Sequence, residues 1–460
     1  MKVIKIGGSC LKGKRNIGHI LELIAKQGRG HIFVVSALNG VTDILIHGMS
    51  AALEDEDNIP AIISRLKSKH MIVARHLIST GDFLKNFSRN LSKYLNELER
   101  LYYGLNFTRE ITERMQDVIS SFGERFTVEF LVCALRCRGI QASYRLPHKI
   151  GLITDGKFGD ATANLRKTTQ NLQLHLKPLL KEGMILFIPG FFGVSEGGDI
   201  TTFGRGGSDY SAAVVAVAMQ AETLEIWKDV PGYLSADPRI VDEAQLIPVL
   251  SYEEAAELSY FGAKILHPRT IEPLRTSKLN ISIKNTINPD GPGSLITSHS
   301  LRSGSVIKSV THDTDIGILK IHSSGVGARL GILARIANRL AESRINIKSV
   351  VTSQTCISLL LAHKDLEPGY HALKSLKPKP YRRLEKIEDV ALVSIVGGGM
   401  AQHKGIAARC FSAISKYNIN VEMIAFGPSK VALYFLVGNC DLDRAVNAIH
   451  STFFSLHSRL

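Results

Sequence analysis

Two similar segments in the last third of the chain limit the folds available to it. Gly331-Ile332-Leu333-Ala334-Arg335 begins one segment, and Gly405-Ile406-Ala407-Ala408-Arg409 begins the other at an offset of 74 residues. Each copy places a helical pattern between β-rich runs, which is typical of a small β-α-β-β unit. Two copies are too few for a solenoid, which needs at least about three repeats for stability. The sequence therefore predicts two paired α+β modules in this region.

The preceding part of the chain alternates short β-rich runs with helical patterns. Val3-Ile4-Lys5-Ile6 is one such run, and others follow at residues 185–188, 223–227 and 281–284. Residues from about 45 to 138 differ, because apolar side chains recur there at helical spacing with few prolines. This alternation favours an α/β layer built on a largely parallel sheet. A run of Asn, Pro, Asp and Gly at 288–293 predicts a domain boundary just beyond it.

The charge of the chain is unevenly distributed. The 460 residues carry a formal net charge of +14, with +4 up to Ser300 and +10 after it. Such a basic excess is typical of proteins that bind nucleic acid. Here, however, Arg335, Arg339 and Arg344 alternate with apolar positions on a predicted helix, and no interleaved aromatic residues suggest base stacking. A solvated helix face is the better interpretation, and no nucleic-acid partner is predicted.

Membrane, secretory and metal-binding classes are also disfavoured. The longest apolar run, near residues 211–219, is about half of the roughly 20 residues that a membrane-spanning helix needs. Residues 1–8 contain no apolar core of a signal peptide. Six cysteines in 460 residues do not make a disulfide framework, and no second Cys or His pair joins Cys133 and Cys137 in a metal site. We expect a cytoplasmic protein with buried thiols, no metal site of its own and no membrane partner.

Three glycine patterns bear on ligand binding. Residues 8–14 fit the start of a P-loop, but Arg15 stands where a magnesium-binding Ser or Thr is required. Residues 325–331 nearly match a dinucleotide fingerprint, but the third Gly is one residue late and the pattern lies inside a repeat. Residues 204–210 place Gly and Arg205 directly before an apolar helix, which suits an anionic ligand. From these residues alone, a Gly-rich turn with a helix cap is an equally good interpretation of this third pattern.

Charged residues also lie where predicted strands end. Lys5 lies beside Gly7-Gly8, where an ammonium group suits contact with a phosphate. Asp229 follows the strand at 223–227, and open α/β sheets bind ligands at the carboxyl ends of their strands. Taken singly, a solvated lysine at the strand edge is the better interpretation of Lys5, and a capping aspartate is the alternative for Asp229.

Taken together and in this order, these segments resemble the aspartokinases of the amino-acid kinase superfamily. The motifs that carry the resemblance are Lys5-Ile6-Gly7-Gly8-Ser9, Val35-Ser36-Ala37, Phe122-Gly123-Glu124, Thr201 to Asp209, Trp227-Lys228-Asp229-Val230, Ala236-Asp237-Pro238-Arg239 and the run from Ser251 to Pro268. The resemblance extends over nearly the whole chain, and the C-terminal modules are similar to the paired ACT domains of the same family. It implies a three-layer α/β sandwich with a mainly parallel sheet at 1–295, including the helical segment at about 45–138. Two ferredoxin-like α+β ACT domains would follow at 305–384 and 385–460.

The family reaction is phosphorylation of the β-carboxylate of L-aspartate by MgATP. A carboxylate is already nucleophilic, so catalysis rests on positioning and on neutralising charge at the transferring phosphoryl group. By resemblance Lys5 stabilises that charge and Asp209 holds the catalytic lysines. Arg205 pairs with the α-carboxylate of aspartate and Glu124 with its ammonium group. The other aspartate-binding residues are Ser36, Thr42, Gly206, Gly207 and Ser208, and the other ATP-binding residues are Gly7, Gly8, Ser9, Lys228, Asp229, Leu234, Arg239 and Lys264.

Several residues depart from the family pattern. Cys10 stands where Ser or Thr is frequent, Lys228 where Thr is commoner, and Leu234 where Tyr is usual. The loss of that Tyr removes a stacking group from the nucleotide site, so weaker nucleotide binding is expected. In the second module, residues 426–430 replace a polar stretch that is common in the family.

Regulation and assembly are expected from the same resemblance. The first module keeps Asn346, Ile347 and Gln354 at its predicted effector edge, so an amino-acid effector such as lysine or threonine is expected there. The ACT domains imply a homo-oligomer, a dimer or a tetramer. About 160 residues follow the kinase region, so a monofunctional enzyme without a fused dehydrogenase is expected.

Two alternatives belong to other functional classes. One is a related amino-acid kinase with another acidic acceptor, such as glutamate or acetylglutamate. The other is a non-catalytic amino-acid-binding regulator or nucleic-acid-binding protein that uses the basic C-terminal region. The paired Arg205 and Glu124 and the tandem ACT-like modules favour aspartate over the first. The arginines interspersed with apolar positions, without interleaved aromatic residues, argue against the second.

Overall fold

The computed structural model describes residues 1–79, 81–263, 265–298, 306–323, 330–400, 402–427 and 429–454. The chain divides into two compact units. The first consists of Met1–Tyr233, Pro248–Ala256 and Lys264–Leu301, and the second of Leu234–Ile247, Glu257–Ala263 and Arg302–Leu460.

The first unit is built on a mainly parallel sheet. Its strands are β1 (Val3–Ile6), β2 (Ile32–Val35), β3 (Ala142–Tyr144), β4 (Ile153–Thr154), β5 (Ile185–Pro189), β6 (Phe192–Ser195), β7 (Ile200–Thr202), β8 (Leu224–Lys228), β9 (Val249–Ser251), β10 (Ile281–Asn285) and β11 (Ser294–Thr297). In the described part of the chain, the main sheet has the order β3-β5-β2-β1-β8-β10-β11-β9, and β4, β6 and β7 form a small separate sheet. Every pairing in the main sheet is parallel except β10 with β11.

The helices of the first unit include five that follow one another without an intervening strand. They are α1 (Gly13–Gln27), α2 (Val41–Glu54), α3 (Asn58–Leu77), α4 (Gly81–Thr108), α5 (Glu113–Ser120), α6 (Phe122–Arg136), α7 (Pro147–Ile150), α8 (Leu165–Lys181), α9 (Gly207–Ala218), α10 (Tyr252–Tyr260) and α11 (Glu272–Ser277), with a 3₁₀ helix at Pro268–Ile271. The last residues of α10, from Glu257, belong to the second unit. Helices α2 to α6 occupy the stretch whose apolar spacing predicts helices. None of the helices in the described ranges is long and apolar enough to cross a membrane.

The central strand β1 is buried on both faces, which fixes the position of Lys5. Ile4 and Ile6 pack in a core formed with α1 to α6, and Phe33 and Phe187 of the neighbouring strands belong to the same core. Because strand side chains alternate between faces, Lys5 points to the opposite face, where α9 packs against β1. Nearly every residue of α9 is buried, as its almost uniformly apolar sequence predicts.

The second unit contains the two repeated modules. Its strands are β12 (Ser309–Asp313), β13 (Gly317–His322), β14 (Ile347–Thr352), β15 (Cys356–Leu361), β16 (Arg383–Ile387), β17 (Val390–Val396), β18 (Met423–Phe426) and β19 (Ala432–Gly438). Its helices are α12 (Ile332–Glu342), α13 (His363–Lys374), α14 (Ile406–Ser415) and α15 (Leu442–Phe454), with a 3₁₀ helix at Asn439–Asp441. The described strands form two antiparallel sheets, β14-β15-β13-β16 and β12-β17-β19-β18. The α/β class and the two α+β modules are therefore confirmed.

The two modules interleave along the chain. Strand β12 precedes the first module in sequence, yet it pairs antiparallel with β17 of the second, Ser309 opposite Val396. The range 305–384, predicted from sequence as the first module, thus includes a strand of the second sheet. The physical reason is that β16 already completes the first sheet beside β13, which leaves the edge of β17 for β12. The repeat itself is visible in Gly331 and Gly405, which both precede their helices in the left-handed conformation.

Candidate active site

A polar cavity of about 400 Å³ opens in the first unit where β1, β2 and the start of α9 meet. This is the carboxyl edge of the parallel strands, where open α/β sheets bind ligands. The cavity brings together eleven of the predicted residues. They are Lys5, Gly8, Ser9, Ser36, Thr42, Glu124, Arg205, Gly206, Gly207, Ser208 and Asp209.

An ion pair lies at the base of the cavity. Lys5 Nζ is 2.5 Å from Asp209 Oδ1, and both side chains are buried. Lys228 Nζ approaches the second oxygen, Oδ2, at 4.0 Å. Burial by itself raises the pKa of the Asp209 carboxyl, but Lys5 and Lys228 outweigh burial and hold that pKa below its ordinary value. Asp209 is therefore an ionised carboxylate that orients two ammonium groups.

The ammonium group of Lys5 is easier to deprotonate than that of a solvated lysine. Burial lowers its pKa, and repulsion from Lys228 acts in the same direction, while Asp209 opposes both. A lysine in this setting has lost most of its water shell, so its attraction for a phosphate oxygen is less screened than in solvent. The arrangement suits stabilisation of negative charge at one defined place.

Glu124 supplies a buried carboxyl on the adjacent wall. Its Oε1 accepts a hydrogen bond from the backbone N–H of Ala37 at 3.1 Å and lies 3.5 Å from Ser208 Oγ. Its Oε2 is buried without a hydrogen-bond partner in the described structure. Burial raises the pKa of Glu124 to about 8, even though the Ala37 N–H and Lys5 favour the charged form. A cationic ligand group would satisfy Oε2 and stabilise the ionised carboxylate.

Arg205 supplies the complementary charge from a glycine turn. Gly204 and Gly206 both adopt positive φ angles, 67° and 72°, which non-glycine residues rarely adopt. A Cβ atom on Gly206 would lie 2.2 Å from the Cβ of His267, so the turn has no room for a side chain there. Arg205 between them is exposed and makes no ion pair within the described residues. Its guanidinium group is therefore available to a carboxylate ligand.

The Gly7–Ser9 loop lies beside the two lysines. A Cβ atom on Gly7 would lie 3.6 Å from Lys5 Nζ and 3.7 Å from Lys228 Cδ, which places the loop in contact distance of both lysine side chains. Ser9 Oγ donates a hydrogen bond to Asp229 Oδ1 at 2.8 Å. The loop thus offers backbone N–H groups and two cations to a phosphate chain.

Comparison with known proteins identifies the family. The amino acid kinase family model matches residues 1–285, and an ACT domain model matches residues 393–453. Aspartokinase 1, chloroplastic, of Arabidopsis thaliana is 30% identical over 98% of this chain and 80% of its own length. The chain belongs to the aspartokinase family.

Solved aspartokinase structures support this assignment. Escherichia coli aspartokinase III in complex with aspartate and ADP is 26% identical, with a TM-score of 0.82, and the match covers 99% of this chain and 100% of that one. The same enzyme in complex with lysine and aspartate gives a TM-score of 0.83 at 26% identity, with the same coverage. A bifunctional aspartokinase/homoserine dehydrogenase of Haemophilus influenzae is 29% identical, but the chain covers only 57% of it.

The remaining ATP-binding predictions of this aspartokinase lie outside the cavity lining. Lys228 is the last residue of β8 and approaches Asp209, and Asp229 follows the strand and accepts the hydrogen bond from Ser9. Leu234 and Arg239 belong to the second unit, where Leu234 forms a β-bridge with Leu246 and Arg239 forms an ion pair with Asp237. Lys264 lies outside the described residues.

The predicted effector residues of this aspartokinase are not brought together within the one chain. Asn346 and Ile347 lie at the start of the edge strand β14, and Gln354 lies in the turn after its end. At about 3.3 Å per residue, roughly 20 Å of strand separates them. These residues stay predictions.

Sequence reasoning missed several residues that line the cavity. Asn39 and Gly40 lie between the predicted Ser36 and Thr42 in sequence, and Asp43 follows Thr42 directly, so their position could have been inferred. Phe191 has no such signal. It is a bulky residue with a φ of 77°, a conformation that is rare outside glycine and frequent at functional sites.

Proposed function

We propose that this aspartokinase transfers the γ-phosphoryl group of ATP to the β-carboxylate of L-aspartate. A bond forms between a β-carboxylate oxygen and the γ-phosphorus, and the bond from that phosphorus to the bridging oxygen of ADP breaks. The products are 4-phospho-L-aspartate and ADP. No proton has to be removed from the acceptor, because a carboxylate is ionised at neutral pH.

One observation carries the proposal: a single cavity presents Glu124 and Arg205 together with the Lys5–Asp209 ion pair. The carboxylate of Glu124 matches the ammonium group of an α-amino acid, and the guanidinium of Arg205 matches its α-carboxylate. With these two groups held, the β-carboxylate is the remaining reactive group of aspartate. Ser36, Thr42 and Ser208, with the backbone of Gly206 and Gly207, are proposed to complete the aspartate pocket.

Lys5 is proposed to neutralise charge on the transferring phosphoryl group. Asp209 fixes its ammonium group, and Lys228 adds a second cation on the same side. Preorganised charges of this kind are usually the largest contribution to catalysis of group transfer. Gly7, Gly8 and Ser9 would line the phosphate chain, and Asp229, Leu234, Arg239 and Lys264 are proposed to bind the rest of the nucleotide.

Magnesium is proposed to arrive with ATP. No cluster of three or more His, Cys, Asp or Glu side chains within the described ranges provides a metal site by itself. This fits Mg²⁺, which keeps several waters and binds through substrate phosphates with one or two carboxylates. When bound, the ion supplies further neutralisation of phosphate charge.

Amino-acid regulation through the ACT domains is part of the same proposal. Lysine is bound in the E. coli aspartokinase III structure described above, and the second unit of this chain has two ACT-like sheets. We propose that an amino acid, lysine or threonine, inhibits this enzyme as a homo-oligomer in the cytoplasm.

The deciding experiment measures ADP release in a coupled assay with L-aspartate as acceptor. We expect turnover that depends on both aspartate and MgATP, with inhibition by lysine or threonine added singly or together. Glutamate and acetylglutamate serve as competing acceptors. ADP release with either of these but not with aspartate would overturn the acceptor assignment.

A further inference from the structure

Two polar side chains near the glycine turn that carries Arg205 have no role in the proposed phosphoryl transfer. The first is Asp117 of α5, which is only 2% exposed. Its Oδ2 accepts hydrogen bonds from the backbone N–H of Thr202 at 2.8 Å and of Gly159 at 2.9 Å. Its Oδ1 accepts a third from Thr202 Oγ1 at 2.6 Å. Asp117 therefore joins the end of β7 to the loop that contains Gly159.

The second is Arg269 of the 3₁₀ helix, which joins the same two segments one residue further along. Its Nη1 donates to Asp160 Oδ1 at 2.6 Å and to the carbonyl of Phe203 at 2.8 Å. Its Nη2 donates to the carbonyl of Ala161 at 2.7 Å. The guanidinium carbon lies 4.7 Å from the ring centre of Tyr210 in α9. Arg269 thus links three parts of the first unit at one point.

These contacts end where the functional turn begins. Phe203, whose carbonyl Arg269 binds, is followed directly by Gly204 and Arg205. The turn packs directly against its neighbours, because a Cβ atom on Gly204 would lie 2.7 Å from the carbonyl oxygen of Gly159. Arg205 makes no ion pair that would orient it within the described part of the chain. The direction in which Arg205 points is therefore set by the segments from which the turn emerges.

We infer that Arg269 is a positioning residue for aspartate recognition and acts through Arg205. This inference rests on the proposed function, because it takes Arg205 as the group that binds the α-carboxylate. Arg269 is not among the residues that line the cavity, so we place it behind the site and not in it. It holds the Phe203 carbonyl and the 160–161 segment together, and the same 3₁₀ helix is preceded by His267, which packs against Gly206.

Arginine is needed here because one planar group must reach three acceptors. The guanidinium presents five N–H donors in a fixed fork and also stacks on an aromatic ring. A lysine ammonium is a single point and cannot span the Asp160 carboxylate and the carbonyls of Phe203 and Ala161 together. The substitution Arg269→Lys therefore retains the charge and removes the link.

The test compares Arg269→Lys, Arg205→Ala and the double variant in full-length enzyme. For Arg269→Lys we expect the aspartate KM to rise about ten-fold, with kcat and the ATP KM changed less than about two-fold, since only substrate binding is affected. In the Arg205→Ala background, Arg269→Lys should raise the aspartate KM by less than about two-fold, because residues that act through one another are not additive. Equal increments in the two backgrounds, or a matching rise in the ATP KM, would contradict the inference and indicate a purely structural role.

Two further variants complete the design. Arg275→Lys, on the exposed side of α11, is the matched control and should leave every parameter unchanged. If Arg269→Lys does not fold, Asp160→Ala removes one acceptor of the guanidinium group at an exposed side chain, and we expect a rise of about three-fold in the aspartate KM. No rise in a folded variant would overturn the inference.

Equilibrium binding separates this inference from the proposed function. Titration calorimetry of aspartate without nucleotide gives a Kd for each variant whether or not ADP is released. A wild-type enzyme that binds aspartate but phosphorylates another acid would refute the acceptor assignment, while a weaker Kd in Arg269→Lys would still support the positioning role. An unchanged Kd would refute that role even in an active aspartokinase.

Discussion

Lys5 and Asp209 form a buried ion pair with 2.5 Å between Nζ and Oδ1, although they are 204 residues apart in the sequence. The pair joins the central strand β1 to the first turn of α9. Because Lys228 also faces Asp209, one carboxylate organises two cations where we propose that the phosphates bind. The chemistry of the site depends on this arrangement more than on any single motif.

Replacement of either member of this pair should abolish turnover. For Lys5→Ala and Asp209→Ala we expect kcat to fall by at least about 10²–10³-fold, the usual effect of removing one preorganised charge. ADP release under saturating aspartate and MgATP measures the effect. Lys26→Ala, an exposed lysine in the last turn of α1, is the control. Near-normal kcat in a folded Lys5→Ala enzyme would refute the assignment.

Arg205→Ala should weaken aspartate binding far more than it slows the chemical step. A bidentate, charge-assisted contact to a carboxylate contributes about 1.5–3 kcal/mol, so the aspartate KM should rise about 10- to 100-fold. The ATP KM should change little, because Arg205 is proposed to bind aspartate and not the nucleotide. Initial-rate measurements with each substrate varied in turn test this. Unchanged aspartate affinity would remove Arg205 from the site.

Glu124 should give aspartate binding a pH dependence. Its pKa is raised to about 8, chiefly by burial, so below that pH the carboxyl of the free enzyme is largely protonated and must lose a proton to bind an ammonium group. The aspartate KM should therefore fall as the pH rises from 6 towards 8. Glu124→Gln should have a higher KM and a flatter profile. An unchanged profile in Glu124→Gln would assign the titration to another group.

The raised pKa of Glu124 also predicts how the stability of the folded protein changes with pH. A carboxyl whose pKa is raised on folding favours the protonated folded state. Its contribution to the free energy of unfolding is therefore greatest below the pKa of a glutamate in the unfolded chain, about 4.3. That contribution is lost progressively as the pH rises towards 8. The difference in melting temperature between Glu124→Gln and wild type should therefore shift in favour of the variant between pH 5 and pH 8.5. Calorimetric melting at several pH values, without ligands, measures this shift.

Gly206→Ala should damage the site beyond its backbone strain. Gly206 and Gly30 both have a φ of 72°, but a Cβ on Gly206 would lie 2.2 Å from His267 whereas nothing lies within 4 Å of one on Gly30. Gly30→Ala is therefore a matched control that should cost about 1 kcal/mol of stability and leave activity unchanged. Gly206→Ala should cost more and raise the aspartate KM. Equal effects would mean that the contact with His267 is unimportant.

Much of the fold follows from local sequence patterns. The alternation of β-rich and helical runs depends on side-chain periodicity within a few residues, and it led to the parallel sheet and to the helical segment. The 74-residue repeat led to the two α+β modules. The family resemblance, carried by segments such as residues 5–9 and 201–209, was confirmed by the comparisons, and it named residues that the fold gathers into one cavity.

Other features required the tertiary structure. No local pattern predicts that β12 joins the sheet of the second module, because strand pairing depends on which edge is left free. Glu124 is recognisable as a motif residue, but its raised pKa arises from burial among residues distant in sequence, such as Ser208. The link from Arg269 to Phe203 and Ala161 likewise has no signature, since its acceptors are backbone carbonyls present at every residue.

The sequence by itself thus determined the order of elements, the repeated modules and the identities of the charged residues, because these depend on local periodicity and residue type. The tertiary structure alone decided which charged side chains are in contact, which carboxyl is buried from solvent and which segments flank and support the turn that carries Arg205. Coulombic and desolvation energies depend on distance and burial, and neither quantity is determined until residues far apart in the chain have packed together.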